Sequence, residues 1–153
     1  MKDANEDMIV VPVGFVRSPI KEPTHERLNL KEITSEIVIN ENLTEALDGI
    51  EGFSHIIVLY WMHLAIREKK RLKTHPMGRT DVPEQGIFAV RTPHRPNPIG
   101  KSTVRLLERH GGVLKVQGLD AIDGTPVIDI KPYLPGYDSA SEAMTPDWVV
   151  RED

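Results

Sequence analysis

Cysteine is absent from all 153 positions of the chain. Its absence removes disulfides, thiol catalysis and cysteine-built zinc sites together. Long apolar runs are lacking as well. The longest, Ile56 to Trp61, has the length of one strand and falls far short of a bilayer span, so no membrane partner is expected. The N-terminus, MKDANEDMIV, is acidic and polar, the wrong start for a secretory signal, and the expected location is cytoplasmic. No GxGxxG follows a strand-like run, which excludes a Rossmann-type cofactor site. Walker loop, HExxH and internal repeats are missing too.

What is present is enough for one domain. Hydrophobic residues make up 39%, too many for a disordered chain. The net charge of −4 argues against non-specific nucleic-acid binding by the chain as a whole. The charge is uneven, however. Residues 67–79 carry Arg67, Lys69, Lys70, Arg71, Lys73 and Arg79 against the single acid Glu68. A local basic face can coexist with an acidic total.

The apolar pattern is that of short strands. Residues 9–18 read as a strand that stops at Ser18-Pro19, and 33–39 as a second. Residues 41–49 predict one short helix, with Asn42 as N-cap and Gly49 at its C-terminal stop. Residues 53–64, β-branched and aromatic, predict a long central strand. IFAV (87–90) reads as a short buried strand. The runs 102–110 and 113–119 flank Gly111-Gly112, a strong hairpin signal. Asp123-Gly124 marks a turn before a last strand, 125–131. Six or seven strands, one short helix and no βαβ alternation predict a mainly β protein, a small antiparallel barrel or a sandwich. The expected bounds are a polar tail over 1–8, a barrel over 9–138 and a C-terminal tail over 139–153.

RTPHRPNPIGKS (91–102) is the stretch with chemistry in it. Pro93, Pro96 and Pro98 fix their own φ angles and push Thr92, Arg95 and Asn97 toward extended geometry. Such a loop needs little ordering to act as a binding rim. Arg91 and Arg95 offer forked donors, and Asn97 offers a donor and an acceptor. A plain surface turn with solvated arginines fits the same residues. The six histidines show no metal-ligand spacing, and no metal is expected. Asp120, Asp123 and Asp129 form an acidic set, with Asp129 and Lys131 two apart on one strand face. A turn and a rim ion pair would explain them equally well. The basic run 67–79, with Arg71, Lys73 and Arg79, is either a solvated loop or a phosphate-facing patch.

Four blocks together resemble one family. VGFVRSP (13–19), EGFSHIIVLY (51–60), GIFAVRTPHRPNPIGKS (86–102) and DGTPVIDIKPYLP (123–135) are similar to the signature blocks of the TsaA-like, or tRNA methyltransferase O, family. The resemblance spans roughly residues 9–138. It implies a small antiparallel, non-Rossmann β-barrel, acting as a homodimer and binding S-adenosylmethionine. It further implies N6-methylation of threonylcarbamoyladenosine at tRNA position 37, with the threonylcarbamoylated anticodon loop as partner. By motif, Met62, His63, Arg91, Lys101, Asp123, Gly124, Thr125 and Pro126 would line the cofactor pocket, with Arg95 and Asn97 on its rim. Asp129 or Tyr133 would act as base or orienter, with Lys131 as electrostatic partner, and Arg71, Lys73 and Arg79 would face RNA. Three departures stand out: EPTHERLN lacks the glutamine of a Pro-x-Gln element, Lys101 replaces an apolar residue, and the C-terminal domain of longer bacterial members is expected to be missing. A module that binds S-adenosylmethionine, or a small-molecule methyltransferase, is the alternative.

Overall fold

A computed structural model describes residues 8–24, 28–67 and 71–149. The expected tail over 1–7, His25, Lys69 and Lys70 lie outside the described residues. Eight strands are described: β1 (Gly14–Arg17), β2 (Thr34–Ile39), β3 (His55–Trp61), β4 (Lys73–Thr74), β5 (Gln85–Gly86), β6 (Ile99–His110), β7 (Val113–Gln117) and β8 (Pro126–Pro132). Six of them close an antiparallel barrel in the order β1-β2-β7-β6-β3-β8, and β4 with β5 forms a separate two-stranded arm. The mainly β class expected from the apolar alternation and the barrel implied by the family resemblance are the observed fold.

Alternation sets which side chains enter the barrel. Val16, Ile37, Ile39, Ile56, Val58, Val104, Leu114, Val116 and Val127 point inward and are almost fully buried. Two interruptions bend the wall. The β6–β7 register slips between Leu106 and Glu108, and the β3–β8 register slips between Leu59 and Tyr60. Each adds one residue to one strand, the pattern of a bulge. Glycine is forced at two close approaches. A Cβ on Gly14 would lie 2.3 Å from the Val38 carbonyl oxygen, and one on Gly100 would lie 2.2 Å from Cε2 of Tyr60.

Several local expectations are corrected. Residues 9–13 are not a strand, because β1 begins only where Gly14 pairs with Ile39 and Val127. The segment 87–90 is a 3₁₀ turn, Ile87–Ala89, in which Ile87 alone is buried. The short helix is 3₁₀, Glu41–Leu47, capped by Asn40 rather than Asn42; Asn40 uses its side-chain amide on the Pro12 carbonyl. Among the described residues the single α-helical turn is Pro135–Asp138, at the end of the stretch expected to form the barrel. The central strand stops at Trp61, and His63 opens a 3₁₀ turn, His63–Arg67.

The Gly111-Gly112 hairpin is as expected, with Gly111 at φ 59°. Arg109, beside it, ties the 3₁₀ helix to the barrel. Its guanidinium donates to Asp48 at 3.0 Å, Glu51 at 2.8 Å and the Leu47 carbonyl at 3.1 Å, and its Nε donates to the Gly111 carbonyl at 2.9 Å. The side chain is only 13% exposed. Arg109→Ala is expected to lower Tm by several degrees, because buried carbonyls lose their donor. Arg109→Lys should recover only part of the loss, since an ammonium cannot reproduce the fork. A thermal melt of both variants checks this.

Candidate active site

Strand direction brings the expected site together at one end of the barrel. β1, β3 and β7 end there, and β2, β6 and β8 begin there. The end of β3 therefore delivers Met62 and His63 beside the proline loop that leads into β6. The Met62 N–H donates to the Pro98 carbonyl at 2.7 Å, and Pro98 itself is buried. The turn before β8 reaches the same rim from the other side. Gly124, at φ 78°, donates its N–H to the Val16 carbonyl at 2.8 Å, and Asp123 N–H donates to the Ile20 carbonyl at 2.7 Å. Leu119 and Ala121, both buried, plug the mouth between them. The inward side chains of the barrel form one packed core cluster.

The proline loop holds itself in shape. Arg95 folds back, donating to the Val90 and Thr92 carbonyls at 3.2 and 3.3 Å. Its guanidinium is a staple of the loop rather than a forked donor offered outward. Arg91 and Asn97 remain exposed. Asp123 is similarly engaged. One oxygen accepts from the Ser18 N–H at 2.9 Å, and the other meets the Lys21 ammonium at 2.9 Å. Lys21 and the Ser18 amide hold the Asp123 carboxyl below its ordinary range. Thr125 is buried and donates to the Ile122 carbonyl at 2.6 Å. An open depression of about 550 Å³ lies next to this turn, lined by Arg17, Lys21, Glu36 and Lys115 among others. Its cations face acids already: Arg17 meets Glu36 at 3.2 Å and Lys115 meets Glu108 at 3.7 Å.

Four expected residues fall elsewhere. Lys101 pairs with Leu59 on the outer face of the barrel and donates to Thr103 Oγ1 at 2.8 Å. Asp129 pairs with Leu59 from the other side, and it forms a 2.7 Å ion pair with Lys131. That hydrogen bond raises the Lys131 pKa. Val127 and Ile130 are the β8 residues that pack on the core, so Asp129 and Lys131 face out. Tyr133 lies at the opposite end, its N–H on the His55 carbonyl and its ring 6.4 Å from the His55 ring. It is roughly 20 Å along the strand from the rim, at about 3.3 Å per residue. The structure thus separates Asp129, Lys131 and Tyr133 from the rim that collects Met62, His63, the proline loop and the 123–126 turn. Among the described residues, no three of His, Asp and Glu come together as a metal site.

One carboxylate was passed over by the sequence reading. Asp120 stands beside the plug residues Leu119 and Ala121, and its backbone N–H donates to Ser102 Oγ at 3.4 Å. Ser102 Oγ also bonds the Tyr60 hydroxyl at 3.2 Å inside the barrel mouth. Burial raises the Tyr60 phenol pKa further above its usual value. The Asp120 side chain has neither an ion pair nor a hydrogen bond among the described residues, and burial raises its pKa. Its surface is nonetheless exposed, so the desolvation comes from the packed neighbours on one side only. The signal in the sequence was the acidic set itself. What distinguishes its members is that Asp123 and Asp129 have cations and Asp120 has none.

A closed antiparallel barrel that builds its site from rim loops, with no Rossmann element, defines the class. The chain belongs to the tRNA-methyltransferase O N-terminal domain family, whose sequence model matches residues 16–139. It is 45% identical over 139 residues to the S-adenosyl-L-methionine-binding protein of Archaeoglobus fulgidus, covering 88% of this chain and 96% of that one. It is 38% identical over 141 residues to the tRNA (adenine(37)-N6)-methyltransferase of Escherichia coli, covering 86% of this chain and 60% of that one. The crystal structure of TrmO from Pseudomonas aeruginosa superimposes with a TM-score of 0.73 at 34% identity, over 90% of this chain and 60% of that one. The chain therefore spans nearly all of the archaeal relative and about three fifths of the bacterial ones.

Proposed function

We propose that this protein is an S-adenosylmethionine-dependent methyltransferase that methylates N6 of the modified adenosine at tRNA position 37. Family membership supports the reaction class, and the rim supports the place. The observation that carries it is the convergence of Met62, His63, the stapled proline loop and the 123–126 turn on one end of the barrel. The donor set fits the cofactor: exposed Arg91 offers a cation for its carboxylate. Bound S-adenosylmethionine would supply a sulfonium-activated methyl group.

The chain's own task is alignment and one proton. The proline loop and Met62 fix the donor side of the rim. The acceptor nitrogen is ureido-like and gains nucleophilicity as its proton leaves. Asp120, with a raised pKa and no competing cation, takes that proton. Asp129 has the wrong place and a 2.7 Å partner in Lys131. Arg71 and Lys73 stay exposed as phosphate-facing cations, whereas Arg79 binds Asp81 at 2.6 Å and the Trp148 carbonyl at 3.0 Å. The homodimer belongs to the same reading, with Leu59, Trp61 and the 43% exposed Ile99 offering an apolar outer face. A tRNA acceptor implies a cytoplasmic location.

Calorimetric titration with S-adenosylmethionine tests the first step. Saturation near one site per chain is expected, followed by methyl transfer into threonylcarbamoylated tRNA. Arg91→Ala should weaken binding about tenfold or more, as loss of a charge-assisted contact does, without moving Tm. A Tm loss in that variant would make Arg91 structural. Binding without transfer into any tRNA would favour a module that only binds the cofactor, the reading suggested by the name of the archaeal relative.

A further inference from the structure

The β4–β5 arm carries three large apolar side chains that no other described residue covers: Leu72 at 79% exposure, Met77 at 70% and Phe88 at 82%. The arm is braced, so their exposure is built in. Lys73 pairs with Gly86 and Thr74 with Gln85, and the Ile87 N–H donates to the Leu72 carbonyl at 3.1 Å. Ile87, Pro76 and Val82 are buried beneath. The His75 imidazole meets the Val82 carbonyl at 2.8 Å, and Arg79 clamps Asp81 and the Trp148 carbonyl. Burial of Ile87 turns the next side chain, Phe88, out to solvent. The pairing sets Lys73 opposite Gly86, two residues before Phe88, and Leu72 against Ile87, with exposed Arg71 just before Leu72 in sequence. The arm's acids, Asp81 and Glu84, lie in the connection between its two strands.

An exposed aromatic ring framed by cations matches an unpaired nucleotide, whose base presents a flat face and whose phosphate presents a charge. A protein partner would not call for the cations, and a duplex would not offer a base face. We propose that the β4–β5 arm docks single-stranded RNA, with Phe88 stacking on an unpaired base and Arg71 and Lys73 facing its phosphates. This rests on the tRNA reading above and adds the surface and the contact by which the RNA is held.

The probe is a fluorescent anticodon stem-loop RNA, titrated at several salt concentrations. Phe88→Ala should weaken binding about tenfold, in the range for loss of one base stack. The salt slope should stay unchanged, because a neutral contact releases no counterion. Phe88→Trp should restore affinity. Arg71→Ala should lower the slope by about 0.7, the value for one single-strand phosphate contact. S-adenosylmethionine affinity and Tm should match wild type throughout. If the wild-type protein binds the cofactor but not the stem-loop, the tRNA reading fails and takes this proposal with it. If it binds and Phe88→Ala binds equally well, only this proposal is overturned. Conversion of a dimer to a monomer by Phe88→Ala, read by sedimentation, would also overturn it, since the face would then belong to a second copy.

Discussion

Asp120→Asn is expected to cut methyl transfer by about 10²- to 10⁴-fold, the usual loss when a positioned general base is removed. The same variant should bind S-adenosylmethionine and RNA with little change, since the amide keeps the shape and loses only the basic oxygen. It should also melt at a higher temperature at neutral pH. The reason is linkage. Burial lifts the Asp120 pKa above its unfolded value, so the ionised carboxylate is disfavoured in the fold. That penalty is present above the folded pKa and is gone below the unfolded pKa of about 3.9. The gain from Asn should therefore disappear in acid. The titratable group near Asp120 is Tyr60, whose raised pKa keeps it neutral through the same range. A variant that loses activity while gaining stability is the pattern of a strained functional group. Full activity in Asp120→Asn would return the proton to solvent or to the substrate. Unchanged Tm with lost activity would leave the base role standing and sink the desolvation argument.

Asp123 should behave in the opposite sense. Lys21 and the Ser18 amide depress its pKa, so its contribution to stability is complete above the unfolded carboxyl pKa and fades as pH falls through the folded one. Two aspartates three residues apart thus respond oppositely to acid. No pattern in LDAIDGTP shows this, because the difference lies in Lys21 and Ser18, a hundred residues away.

The same distinction separates what the sequence could show from what it could not. Alternation and turn chemistry are local, and they show the β6–β7 hairpin at Gly111-Gly112 and the mainly β class, whereas the barrel came with the family resemblance. The clustering of Met62, His63 and the proline loop was legible through the motif resemblance, and the strand directions account for it. IFAV misled because a four-residue apolar run has no period to read; Ile87 is buried and Phe88 is not. The side-chain commitments were beyond reach. Arg95 looks like a ligand donor in sequence, but the carbonyls of Val90 and Thr92 claim it. Asp129 and Lys131 share a strand face, as their spacing implies, but which way that face points depends on the Leu59/Tyr60 register slip.

Gly100→Ala should carry a large stability cost for a single added methyl. Gly100 sits opposite Tyr60 across the β3–β6 pair, and the ring lies flat over it. A Cβ there would come within 2.2 Å of Cε2, 2.5 Å of Cζ and 2.8 Å of Cδ2. Real contacts stop well short of that, so the ring must move. It has little room to do so, being 5% exposed, packed in the core and bonded through its hydroxyl to Ser102. Overpacking of this kind costs about 1–3 kcal/mol, offset in part by the better strand-forming tendency of alanine. For a domain of this size that is a Tm loss of roughly 2–10 °C. The effect should also reach the rim. Gly100 is two residues from Pro98, whose carbonyl holds the Met62 N–H, so a displaced β6 start loosens the loop and weakens S-adenosylmethionine binding. The double variant Gly100→Ala with Tyr60→Leu separates crowding from backbone effects. If the ring is the obstacle, the pair should be more stable than the sum of the two single losses. Strict additivity would place the cost in the backbone and would unlink Tyr60 from the geometry of the proline loop.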